Sequence, residues 1–103
     1  MSWSDNYDIT WSKEFKDFAV YAMMRYDMAE HASEWLHDLY CWQVDESEVG
    51  LEVYEKQVSA LINKSKELKV IRKWFKHLHE QTGHDYMKDL RKSMREDWGV
   101  VIE

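Results

Sequence analysis

The sequence predicts an all-α protein, a compact bundle of four to five helices, and three observations carry that prediction. There is no proline and there are only three glycines in 103 residues, so almost nothing interrupts a helix. Apolar residues recur at helical spacing over most of the chain. Several of these stretches are amphipathic without being hydrophobic all round, which is what a small bundle requires. The length suits one domain, residues 1–103, large enough to bury a core.

Residues 1–9 read as an arm whose Trp3, Tyr7 and Ile9 favour docking on the body, since burying an aromatic is worth a few kcal/mol. Thr10 is a plausible N-cap for a helix carrying Trp11, Phe15, Phe18, Ala19, Ala22 and Tyr26 on one side. Asp27 and Glu30 have the spacing of a capping box, which predicts a break near Asp27; a single helix over 11–42 competes, because the stripe hardly loses phase. Ala29, Ala32, Leu36, Leu39 and Tyr40 then share a face opposite Asp27, Glu30, Glu34 and Asp38. Met28, Trp35 and Trp42 recur every seven residues along the flank between them.

A loop at 43–45 precedes a second capping-box pattern, Asp45 with Glu48. Leu51, Tyr54, Val58, Leu61 and Ile62 face the core, with Glu46, Glu48, Glu52 and Glu55 outward; Gly50 can mark the true helix start. The period continues through Leu68, Ile71, Phe75 and Leu78, so 46–81 can be one long helix, with 63–65 its only polar pause. Gly83 fits a terminating glycine. The last helix, about 85–97, buries Tyr86, Met87, Leu90, Met94 and Trp98. Gly99 ends it, and 99–103 form a packed tail.

Charge is segregated. Residues 1–60 hold thirteen acids and four bases, and residues 61–103 hold seven acids and ten bases, within a net of −6. Asp27, Glu30, Glu34 and Asp38, with Asp45, Glu46, Glu48 and Glu52 after them, form an acidic array flanked by Trp35 and Trp42. Like charges at i,i+4 repel by a few tenths of a kcal/mol per pair. The array is therefore expected to meet either the basic half of the chain, in the same molecule or in a head-to-tail homodimer, or a basic partner. Lys66, Lys69, Arg72, Lys73 and Lys76 make one basic face and Lys88, Arg91, Lys92 and Arg95 another. These faces support an alternative, a nucleic-acid-binding or regulatory module, although the net acidity disfavours direct nucleic-acid binding.

Motifs of chemistry are sparse. Glu34 and His37 form half of a di-iron E-x-x-H pair without a second copy. His79, Glu80 and His84 miss the H-E-x-x-H spacing by one residue. Cys41, four residues after His37, has helix backbone around it whose N–H groups are already used, leaving no oxyanion site. The chain is therefore expected to be no enzyme and to need no cofactor or metal. One cysteine, no leader-like start and no membrane-length apolar run lead to a cytoplasmic expectation.

In composition alone the chain is similar to small phage and mobile-element proteins of the anti-CRISPR or anti-restriction kind. That resemblance implies a non-enzymatic inhibitor acting by occlusion. Its partner would be a basic protein surface, including one that normally holds nucleic acid.

Overall fold

Six helices build residues 12–103, the part of the chain that the computed structural model describes. They are α1 (Glu14–Arg25), α2 (Met28–Tyr40), the single turn α3 (Glu46–Val49), α4 (Leu51–Asn63), α5 (Lys66–Thr82) and α6 (Tyr86–Trp98), with a 3₁₀ turn at Cys41–Gln43. The all-α bundle is as expected. The arm, the Thr10 cap and Trp11 lie outside the described residues.

Phe15, Phe18, Ala19 and Ala22 of α1 are buried. Their spacing of i, i+3, i+4 and i+7 puts them on one face of a helix of either hand. The backbone of α1 winds left-handed, with φ between 40° and 74° throughout. That hand costs L-residues about 1–2 kcal/mol each. Over twelve residues this rivals or exceeds the whole stability of a typical domain, about 5–15 kcal/mol. The segment holds no Gly or Asn, and nothing in the sequence accounts for the hand.

The break near Asp27 is present, so 11–42 is not one helix. The capping box does not form. Asp27 has φ 51° and no side-chain cap bond, whereas an N-cap carboxylate needs an extended backbone to reach the free N–H groups. Tyr26, expected in the core, is 75% exposed, because the chain turns extended there and leaves the phase of α1.

α2 buries Met28, Ala29, Ala32, Ser33 and Leu36 and packs chiefly on α6. Small side chains at 29, 32 and 33 allow that close approach. Met28 is thus core rather than flank. After the 3₁₀ turn, Asp45 does cap α3, accepting the Ser47 N–H at 3.0 Å. Gly50, at φ 85°, separates α3 from α4. Leu51, expected inside, is 58% exposed because it opens α4 before that helix reaches a neighbour; Val58 and Ile62 are fully buried.

The single helix over 46–81 is interrupted again at the polar pause. There the Ser65 hydroxyl donates to Ile62 O at 2.6 Å and accepts the Leu68 N–H at 3.1 Å, capping α5. Leu68, Ile71, Phe75 and Leu78 line the buried side of α5. Gly83, at φ 81°, ends it. Asp85 caps α6 through the Lys88 N–H, and beyond Gly99 the tail buries Val100 and Ile102.

One cross-link ties α2 to α5: the Tyr40 hydroxyl donates to Glu67 Oε1 at 2.5 Å. Burial, then the Glu67 carboxylate, raises the Tyr40 phenol well above its usual value, so the donor stays protonated. Tyr40→Phe is expected to cost about 1.5 kcal/mol, the low end for a hydrogen bond to a charged group, since both ends are half-exposed. Urea denaturation of the variant measures it.

Candidate functional site

Asp27, just before α2, and the acids of α2 all face solvent. Asp27, Glu30, Glu34 and Asp38 are exposed along the side of the helix opposite Ala29, Ala32 and Leu36. Because α2 lies on α6, acids of α6 join them. One groove of about 450 Å³ brings Asp27 and Glu30 together with Asp89, Glu96 and Asp97, alongside Arg25 and Lys92. A second hollow, of about 360 Å³, gathers Asp27, Glu30, Glu34 and Asp97 around Tyr26, His31 and Trp98. Further along, Glu46 and Glu55 line a depression with His37, Glu96, Asp97 and Arg95. The surface is therefore built from α2, α6, the single turn α3 and the first half of α4, with Asp45, Glu48 and Glu52 also exposed.

Sequence reasoning missed Asp89, Glu96 and Asp97. A signal was present: Asp89 and Glu96 stand seven residues apart, two helical turns, on the flank of α6 beside Lys92.

Among the described residues the ion pairs are Lys13–Asp17 at 3.4 Å and Glu52–Lys56 at 3.6 Å, and the His84 ring hydrogen-bonds to Asp89 at 2.5 Å. None joins an acid of α2 to a base. The crowding registers in the titration of Asp38, which burial raises first and the Glu34 charge raises further, against an opposing pull from His37.

Two histidines lie within the acidic helix, each on a tryptophan. His31 stacks on Trp35 at 5.5 Å, and His37 stacks on Trp98 at 4.0 Å and 12°. The Trp98 indole N–H donates to the Ser33 hydroxyl at 3.0 Å. Trp35 is half-buried because the rings of Phe15 and Phe18 meet it edge-on at 6.2 and 6.3 Å. Trp42, in the 3₁₀ turn, is 75% exposed. Of the two tryptophans expected on the flank, one is half-buried beneath α1 and the other stands free.

Burial lowers His37 below its ordinary 6.5, against the raising effect of Asp38. Between the folded value and 6.5 the unfolded chain binds more protons. The stability this group contributes is thus full above 6.5 and lost as pH falls through the folded value. Asp38, raised in the fold, has the opposite slope in a lower window just above 3.8. The melting temperature of the unaltered chain is expected to fall from about pH 7 to about pH 5, and that slope to flatten in His37→Gln.

Lys66, Lys69, Lys73 and Lys76 of α5 are exposed, as are Lys88, Arg91, Lys92 and Arg95 of α6, of which Lys92 and Arg95 border the acidic hollows. Arg72 is half-buried and donates to Glu103 O at 2.8 Å, with Arg91 reaching the same oxygen at 3.3 Å. Trp74 packs against Tyr21 at 5.1 Å and Phe18 at 5.7 Å.

The remaining motifs disperse. Glu34 points to solvent while His37 faces Trp98. α2 ends at Tyr40, placing Cys41 in the following turn, where burial raises its thiol and disfavours the thiolate. Gly83 ends α5 before His84, which pairs with Asp89. Among the described residues no three His, Cys, Asp or Glu side chains are arranged to hold a metal ion, and no helix is long and apolar enough to cross a membrane.

Comparison with protein-family models, with curated proteins and with solved structures found no match.

Proposed function

We propose that this is a small non-enzymatic binding protein. Its acidic helical surface docks on a basic surface of another protein, one of nucleic-acid-binding type, and occludes it. One observation carries this reading: the carboxylates of α2 stay exposed without an ion pair to the basic half, and α6 adds Glu96 and Asp97 beside them. Repulsion retained in the free protein is released when a cationic surface covers it, and such complementarity also speeds encounter. Trp42 adds an exposed aromatic of the kind that anchors interfaces. An inhibitor of host defence, of the anti-CRISPR or anti-restriction kind, is one form of this activity.

The alternative uses the basic faces on nucleic acid. It is weaker because Arg72 and Arg91 are turned to Glu103 and Trp74 is packed against Tyr21 and Phe18. The experiment is affinity capture from lysate of the source cell at low and high salt, with the acidic face intact and reversed. Retardation of DNA or RNA at low salt that is lost in Lys69→Glu with Lys73→Glu would transfer the function to the basic face.

A further inference from the structure

Residues 99–103 lie against α4, α5 and α6 as a peptide lies in a receptor. Gly99, at φ 68°, turns the chain off α6, and Val100 N–H returns to Met94 O at 3.1 Å. Beyond that point the side chains alternate: Val100 and Ile102 are buried, while Val101 and Glu103 face out.

The backbone is held by side chains. Val101 N–H donates to the Ser59 hydroxyl at 3.0 Å. The Asn63 amide donates to Val101 O at 2.8 Å and accepts Glu103 N–H at 2.9 Å. Arg72 and Arg91 close on Glu103 O. Both backbone groups of Val101 and both of Glu103 are thus satisfied by four side chains from three helices. Val101 and Glu103 face out, where water would satisfy their backbone groups, so side-chain partners are not obligatory there. Here a two-sided amide and two guanidinium groups on helices address backbone groups that every extended peptide carries, while alternate side chains enter the core. The outer side stays open, bounded by Lys56, Ala60 and Lys64.

We propose that this groove is a binding site for an extended peptide with aliphatic side chains at alternate positions, and that residues 100–103 occupy it as an exchangeable strap.

The test uses the full chain with Val100→Ser and Ile102→Ser, which weakens the strap and leaves the groove intact. A fluorescent pentapeptide with the sequence of residues 99–103 is titrated by anisotropy. The weakened chain is expected to bind it at least about tenfold more tightly than the unaltered chain, where the covalent strap competes at roughly millimolar effective concentration. Adding Asn63→Leu is expected to abolish binding. A folded weakened chain that ignores the peptide would overturn the proposal. Should that chain lose its helical signal, excess peptide is expected to restore it, and failure to do so overturns the proposal equally.

Discussion

Phe75→Ala is expected to lower the unfolding free energy by about 3–5 kcal/mol, the range for truncating a buried phenylalanine. Phe75 is 1% exposed, and its ring meets Phe18 of α1 edge-on at 5.4 Å and Tyr86 of α6 at 5.4 Å. Removing it opens a cavity where three helices converge. Against a typical total of about 5–15 kcal/mol, that loss brings the fold close to its limit. Denaturant titration should show a lower midpoint at unchanged slope, the sign that stability rather than compactness has altered. Trp42→Ala is the contrast. At 75% exposure it is expected to stay within about 0.5 kcal/mol of the unaltered chain. A large loss there would mean that Trp42 is structural and not an interface anchor.

The places where the chain turns were legible because they depend on local chemistry. Gly83 and Gly99 supply the positive φ that ends α5 and α6, and Ile71 with Phe75 keeps the helical period, whereas the Ser65 cap that starts α5 read only as a polar pause within one long helix. What failed was phase at helix ends. Tyr26 and Leu51 continue their stripes on paper, yet each sits where the backbone departs from the helix or has not reached a neighbour. Trp35 and Trp42 share a heptad phase and diverge for a tertiary reason. α1 crosses over the first, and the turn at Cys41–Gln43 takes the second off the helix. The acidic surface was half legible in the same sense. The row on α2 follows from spacing alone. The addition of Glu96 and Asp97 depends on which helix lies beside α2, a contact between residues some 65 positions apart, as the bond from Trp98 to Ser33 shows. The left-handed turn of α1 has no local signal at all.

Reversing that row is expected to have the largest functional effect. Glu30→Lys, Glu34→Lys and Asp38→Lys together change three exposed carboxylates, none of which is in an ion pair, so helix content and melting temperature are expected to change little. Capture of a basic partner should instead collapse. Close charge pairs across an interface couple by about 1.5 kcal/mol or more each. Three lost at the low end already weaken binding roughly a thousandfold, since about 1.4 kcal/mol is a factor of ten. Salt separates this effect from simple misfolding. Capture by the unaltered chain is expected to fall steeply between low and high ionic strength, whereas residual capture by the reversed chain should be flat. The groove shared with Glu96 and Asp97 adds a graded test, because reversing those two alone should weaken capture in the same salt-dependent way if α2 and α6 present one surface. Undiminished capture by the triple variant would remove the acidic face from the function. Loss of capture in Lys69→Glu with Lys73→Glu instead would place the partner on the lysines of α5.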